Sequence, residues 1–294
     1  MNRRTTGQHT YHNRAHALIL LLGMIILLVL IGWLIAGPDG IAWSFIIGTF
    51  IIISTPRLSP HLILHRYNAQ IISPKQATEL YTILYQLSRK TSLDFIPRLY
   101  YIPTRLISAF TIGYKENTSI AISDGMLRKL NLREINTVLA HEISHIHNRD
   151  LLVMSIADSI SRLTSLMATM GYLLIMIYIP LYLISQQSIP WALLILLVIA
   201  PNISALLQLG LSRNREYTAD MDAAYITGDP AGLASTLSKI EYYQGKWIER
   251  AIFPYRNIPD PSLLRTHPST TERIRRLKLI EEEMKQGQIQ INNN

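Results

Sequence analysis

HALILLLGMIILLVLIGWLIA, residues 16–36, is the stretch that sets the architecture. After its first residue it carries no ionisable side chain. About twenty apolar residues in a helix cross a bilayer core of about 30 Å. The run is too long for a signal-peptide core, and no convincing small-residue cleavage site follows it. A second, shorter apolar run comes instead, Ile41 to Ser54, ending before Thr55-Pro56-Arg57. Gly37-Pro38-Asp39-Gly40 between the two runs is a turn signal. Residues 16–55 are therefore expected to form a transmembrane hairpin.

A second hairpin is expected further along. Leu163 to Ile184 is apolar apart from small polar residues, Ile189 to Leu211 follows, and Ser185-Gln186-Gln187-Ser188 joins them. Pro180, Pro190 and Pro201 are placed to kink or bound these helices. The alternative is two buried core hairpins in a soluble protein. The whole composition argues against it: 49% of the 294 residues are hydrophobic and only 16% charged, against roughly 25% charged in ordinary soluble domains.

The net charge of +8 is distributed in a way that gives an orientation. The N-terminal tail, residues 1–15, holds Arg3, Arg4 and Arg14. Residues 56–162 and the chain after Leu211 hold many more Lys and Arg, and the links at 37–40 and 185–188 hold none. Positive residues stay cytoplasmic. Both hairpin tips should lie outside, with both termini and the polar segments in the cytosol of a multi-pass protein of the inner or cell membrane. The basic residues are scattered and no nucleic-acid reading motif is present, so no nucleic-acid partner is expected. Without cysteine, any metal site must use His, Asp or Glu.

In the polar segments, Ser73-Pro74-Lys75-Gln76 reads as a helix start, running to about Lys90. Arg98–Ile102, Ala109–Ile112 and Thr118–Ser123 read as short strands, with a turn at Lys115-Glu116-Asn117. Asn131 and Glu134 form a capping-box pattern for the next helix. Asp229-Pro230 starts a further helix, and Ser269 with Glu272 starts the last. The tail after about Gly287 is polar and expected to fray.

The helix from Leu132 carries His141-Glu142-Ile143-Ser144-His145. Residues four apart share a helix face, so two neutral imidazoles can hold one zinc ion. Glu142, about 100° further round, can reach a water on that ion rather than the ion itself, and act as general base. Val138, Leu139, Ala140 and Ile143 give the helix a buried face. His147, two residues on, faces away and reads as a surface histidine. A third ligand is still needed. Glu216 and Asp220, again four apart, could supply one carboxylate to zinc and a second to orient a ligand histidine; the same spacing also suits a solvated, ion-paired helix end.

These motifs together resemble the HtpX-like membrane zinc metallopeptidases, gluzincin-type enzymes related to the CAAX prenyl endopeptidases. The resemblance covers about residues 16 to 280. The family's HExxH followed by Asn and Asp is matched by His141, Glu142, His145, Asn148 and Asp150. Its Ser-Arg-x-x-Glu-Tyr-x-Ala-Asp signature is matched by Ser212, Arg213, Glu216, Tyr217, Ala219 and Asp220. The resemblance implies that Glu216 is the third zinc ligand of one Zn2+ per chain, with Asp220, Asn148 and Arg213 supporting the ligands from behind. The family's Asn-Ala-Phe-Ala-x-Gly edge strand, against which substrate backbone lies, reads here Ser108-Ala109-Phe110-Thr111-Ile112-Gly113. Asn is replaced by Ser and the second Ala by Thr, so the strand role carries over better than any side-chain role. Thr266, His267, Pro268 and Arg273 match a late Thr-His-Pro with a downstream Arg, implying either an oxyanion-stabilising His267 or a loop anchor.

The expected fold is a mainly α integral membrane protein (α+β). It has two transmembrane helical hairpins and a zincin-like cytosolic catalytic domain with a small β-sheet. The expected plan is a tail 1–15, hairpin 16–55, catalytic segment 56–162, hairpin 163–211, catalytic segment 212–287 and a disordered tail 288–294. The resemblance implies a quality-control endopeptidase cleaving cytosolic segments of misfolded or unassembled membrane proteins. Its partners would be polypeptides and the lipid bilayer, with oligomerisation left open. One alternative is a peptidase for a single dedicated membrane precursor. Another is a non-enzymatic membrane scaffold or transporter, which would call for ionisable groups within the spans; between Leu163 and Leu211 there is no Asp, Glu, Lys, Arg or His.

Overall fold

The structure is a computed structural model and describes residues 3–54, 60–185, 191–251 and 268–292. In chain order its elements are α1 (Arg3–Ser54), α2 (Pro60–Arg66), β1 (Gln70–Ile71), α3 (Thr78–Lys90), β2 (Arg98–Ile102), β3 (Ala109–Ile112), β4 (Ser119–Ser123), α4 (Asp124–Lys129), α5 (Leu132–His147), α6 (Asp150–Ser185), α7 (Trp191–Thr227), α8 (Pro230–Ala251) and α9 (Thr270–Asn292). They divide into two compact units. One comprises Ser59–Leu151 and Arg215–Asn294 with the first six residues, the other Gly7–Leu58 and Leu152–Asn214.

The second unit is helical and apolar. α1 is broken at Ala36 and Gly37, where Gly37 has φ +60, and this break falls on the turn signal in the sequence. Pro38 has the φ that starts the next helical stretch. The two stretches fold back on each other: a Cβ at Gly40 would collide with the Gly32 carbonyl oxygen. Only glycine permits that approach. Ser44, buried, donates from Oγ to the Gly40 carbonyl at 2.8 Å. Met24 and Leu28 pack with Ala157, Ile160, Leu163 and Leu211, while Leu27 and Ile31 pack with Ala168, Leu197 and Ala200.

The faces turned outward in this unit are equally apolar: Phe50 is 69% exposed and Met176 70%. Contiguous exposure of this kind suits lipid, not water, and rules against buried hairpins of a soluble protein. Among the described residues three helices are long and apolar enough to cross a membrane: Ala15–Phe50, Asp150–Ile177 and Trp191–Thr227. The chain is a mainly helical integral membrane protein. Hydroxyls along α6 are satisfied within the helix, as where Thr164 and Thr169 donate to the carbonyls of Ile160 and Ser165, each at 2.9 Å, as a non-aqueous surrounding demands.

The helices outrun the apolar spans read from sequence. The expected boundaries at 162/163 and 211/212 fall inside α6 and α7, and the units divide after Leu151 and Asn214. Hydropathy marks where apolar residues stop, but the backbone ladder continues through polar helix formers such as Asp158 and Arg162, which pair at 2.7 Å. Pro180 and Pro201 lie within their helices; Pro190 and residues 186–188 fall outside the described residues.

The first unit carries the sheet, in the order β1-β2-β4-β3. β2 runs parallel to β4, and β3 runs antiparallel to β4 with Thr111 opposite Ile120. β3 is thus an edge strand, as expected. Gly113 ends it at φ +104, where a Cβ would meet the Asn117 carbonyl. Leu99, Ile120 and Ile122 of the sheet pack with Leu84 of α3, Leu139 and Ile143 of α5, Leu233 of α8 and Leu277 of α9. Each such side chain removed from water contributes about 1.5–3 kcal/mol. α5 is fixed by its Ile135, Leu139, Ile143, Ile146 stripe, which leaves the His141 and His145 face free for chemistry.

Two element ends differ from expectation. Ser73–Gln76 is a closed turn and α3 starts only at Thr78. Gln76 Oε1 accepts from both Ser73 N–H and Ser73 Oγ, at 2.8 and 2.9 Å, the returned bond read from the sequence, but the Ser73 carbonyl accepts from Gln76 N–H at 3.0 Å and the backbone closes a turn there in place of a first helical turn. α9 continues to Asn292, beyond the expected end at 287, because no proline interrupts its ladder there.

The capping box of α5 forms in both directions: Asn131 Oδ1 accepts from Glu134 N–H at 2.9 Å, and Glu134 Oε2 from Asn131 N–H at 3.0 Å. Glu134 is buried, and Lys239 lies 2.6 Å from its Oε1. Burial pushes the Glu134 carboxyl up, but the bonds from Lys239 and Asn131 prevail and hold it below the usual carboxylate range. A lowered folded pKa gives stability that is present above the unfolded value and is lost as pH falls through the folded one. Glu134→Gln should therefore melt lower than the parent protein at pH 7. Thermal unfolding in detergent should show the gap closing as the pH falls below about 4.

Candidate metal centre

α5 ends at His147, and the two residues after it make a tight reversal. Asn148 is helical, Arg149 is left-handed at φ 55, and α6 begins at Asp150. A non-glycine residue in that conformation costs about 1–3 kcal/mol. The reversal brings Asp150 Oδ2 to 2.8 Å from His145 Nδ1. On the other imidazole, Asp220 Oδ1 stands 3.1 Å from His141 Nδ1. Each ring is thus approached by a carboxylate on one nitrogen, leaving Nε2 directed to the same place.

The two Nε2 atoms are 3.1 Å apart. Glu216, reaching in from α7, places Oε2 3.5 Å from His141 Nε2 and Oε1 3.6 Å from His145 Nε2. Tetrahedral zinc bonded at about 2.0–2.2 Å sets neighbouring ligand atoms roughly 3.3–3.6 Å apart. The two carboxylate distances, each to a different oxygen of Glu216, match such an edge and the nitrogen pair is slightly closer, and two nitrogens with one carboxylate are a donor set suited to zinc. His141, His145 and Glu216 are the group that could hold a metal ion among the described residues.

The electrostatics agree with a cation. Burial alone would push the His141 imidazole down, but Asp220 and Glu216 raise it to about 10. Burial also lowers His145, and Asp150 more than restores it. The carboxylates that would keep protons on these rings favour a metal there equally. Arg273, buried on α9, donates to Asp220 through Nε and Nη2 at 2.7 and 2.6 Å, and its Nη2 is 3.6 Å from Glu216 Oε2. Arg215 Nη1 is 3.2 Å from Asp150 Oδ1. Both carboxylates behind the histidines therefore have a guanidinium against them.

Glu142 is buried beside the triangle without belonging to it. Its Oε2 accepts a 2.6 Å hydrogen bond from the Thr111 hydroxyl on β3. Ala109 and Phe110 are half-buried along the sheet edge. Ser108 precedes β3 and is fastened to the end of β4, its N–H donating to Ser123 Oγ and its carbonyl accepting from Ser123 N–H, both at 3.0 Å.

Of the residues singled out in the sequence, His141, His145, Glu216, Asp220, Glu142 and Thr111 come together. Asn148 instead donates to Asp222 at 2.6 Å. Arg213 is exposed, while Arg215 and Arg273 are the arginines that stand against Asp150 and Asp220. His147 is exposed, as expected. His267 lies outside the described residues. Sequence reasoning missed Arg215 and the bonding roles of Asp150, Arg273 and Thr111. The available signal for Asp150 was an acidic residue opening a long apolar helix just after a ligand.

A largely buried His-His-Glu triangle with a further carboxylate outside it on the same helix is the active-site plan of a metallopeptidase, and the sequence agrees. Residues 74–281 match Peptidase family M48, and the chain belongs to that family. It is similar to the Protease HtpX homolog of Campylobacter concisus, 32% identical over 282 residues covering 91% of this chain and 97% of that one. It is also similar to the Protease HtpX homolog of Pyrococcus furiosus, 36% identical over 270 residues covering 88% and 92%. Among solved structures it resembles S. mikatae Ste24p, at 17% identity and a TM-score of 0.47, covering 92% of this chain and 66% of that one. The protein is an HtpX-like membrane metallopeptidase.

Loss of a carboxylate that orients a ligand histidine lowers metal affinity roughly 10–100-fold. Asp220→Asn should show a weakening of that size for zinc in competition with a chromogenic chelator. Equal affinity in variant and parent would remove Asp220 from the metal site.

Proposed function

We propose that the protein is a zinc-dependent endopeptidase in which Glu142 is the general base and acid. The observation that carries this reading is the placement of a buried carboxylate beside, but outside, the His141, His145, Glu216 triangle. His141, His145 and Glu216 would hold a zinc ion, which when bound would supply Lewis-acid polarisation of the scissile carbonyl and a water acidic enough to react near neutral pH. Glu142 takes a proton from the attacking water as the water oxygen bonds to the carbonyl carbon. It then delivers that proton to the amide nitrogen as the C–N bond breaks, leaving a carboxylic acid and an amine. His141 and His145 stay oriented throughout by Asp220 and Asp150.

The substrate is a polypeptide in extended form, its backbone pairing with the outer edge of β3. Edge-strand addition reads main chain more than side chain, which fits broad selectivity. Misfolded or unassembled membrane proteins are the proposed substrate class. The apolar helices of the enzyme hold it in the same bilayer as such chains, which raises their encounter rate. The lysine and arginine bias supports a topology of two hairpins with the termini and the peptidase centre on the cytosolic side and the links at 37–40 and 185–188 outside.

Full-length protein purified in detergent should contain about one zinc per chain, the stoichiometry of a single catalytic site. Glu142→Gln should retain that zinc and lose casein cleavage by about 100-fold or more. Glu216→Gln should lose the metal itself. Undiminished cleavage by Glu142→Gln would refute the mechanism, and full zinc in Glu216→Gln would move the third ligand elsewhere.

A further inference from the structure

We propose that Thr111 is a positioning residue that fixes the carboxylate of Glu142 in its working orientation. The inference rests on Glu142 being the general base. It begins with the contrast between Glu142 and the other carboxylates of the site. Asp220 is held by a bidentate guanidinium and Asp150 has Arg215 beside it. The bond to Oε2 of Glu142 comes from a neutral hydroxyl on a different element, the edge strand β3.

That bond is short, at 2.6 Å, within the range of charge-assisted O–H···O⁻ bonds. The hydroxyl has one hydrogen. Its other nearby acceptor, the Glu142 carbonyl, is 3.5 Å away, so the carboxylate takes the hydrogen. Thr111 is itself well fixed: it is 5% exposed, paired in register with Ile120, and β-branched, so its χ1 is stiff. The last torsion of a glutamate is the opposite, broad and weakly determined. Pinning Oε2 to a rigid strand sets that torsion and leaves Oε1 as the oxygen that receives the proton. Because Thr111 is part of the strand that would pair with substrate backbone, base and substrate are referred to one segment of chain.

The test uses the full-length, detergent-purified protein with a fluorogenic casein-type substrate, and four variants. Thr111→Val keeps shape and removes the hydroxyl. Its kcat should fall about tenfold, a fraction of the roughly 10²–10⁴ that a general base supplies, with KM within about twofold, since the effect is confined to the transition state. Thr111→Ser, which restores a hydroxyl, should recover most of kcat, and Thr111→Ala should behave like Thr111→Val. Zinc content should equal the parent's in all three. Glu142→Gln serves as the reference for loss of the base. A Thr111→Val enzyme with parental or higher kcat overturns the proposal while Glu142→Gln stays inactive. So does a change carried by KM, or equal losses in the serine and valine variants, which mark a strand-packing effect. An active Glu142→Gln enzyme would instead remove the general-base reading beneath it.

Discussion

Three ligand atoms, two imidazole nitrogens and a carboxylate oxygen, must be held within about a tetrahedral edge of one another inside protein. Left alone, this is an unfavourable arrangement. The nitrogens at 3.1 Å compete for protons, and Glu216 is buried with them. The surrounding structure can be understood as what keeps that triangle from relaxing. The Ile135, Leu139, Ile143 stripe fixes the roll of α5, the left-handed Arg149 delivers Asp150 to one ring, and Asp220 approaches the other.

The charges behind the triangle alternate. Asp150 and Asp220 stand behind the histidines, and Arg215 and Arg273 stand behind the aspartates. Buried ion pairs of this kind are weak sources of net stability, but loss of one partner leaves an uncompensated charge and costs about 3–5 kcal/mol. Their value here is geometric: a bidentate guanidinium fixes the plane of Asp220, and with it the ring it faces.

What was legible in the sequence followed local rules. A helix of period 3.6 puts His141 and His145 on one face wherever the chain sits, and the Asn131 and Glu134 capping box needs only neighbouring residues, so both were readable. The strands and the turn between them were readable for the same reason, and the edge position of β3 came with the family resemblance. The helix start at Ser73 failed because the same bond from Ser73 N–H to the Gln76 side chain suits a closed turn as well as a first helical turn, and the turn is what forms. Arg273, Arg215 and Thr111 were not readable because their partners are fixed by tertiary packing: Arg273 meets Asp220 across fifty-three positions of chain, and no spacing rule reaches so far. Arg213 was named from a motif, while Arg215, two residues on, is the one that meets Asp150.

The ligands are also separated in a way that bears on biosynthesis. His141 and His145 emerge from the ribosome before α6 and α7, and Glu216 sits near the far end of α7. A nascent chain that has not yet delivered both long apolar helices has the two imidazoles of that group but not its carboxylate, Glu216. The group that could hold a metal ion is therefore completed only once the segments that tether the chain to the bilayer have been synthesised.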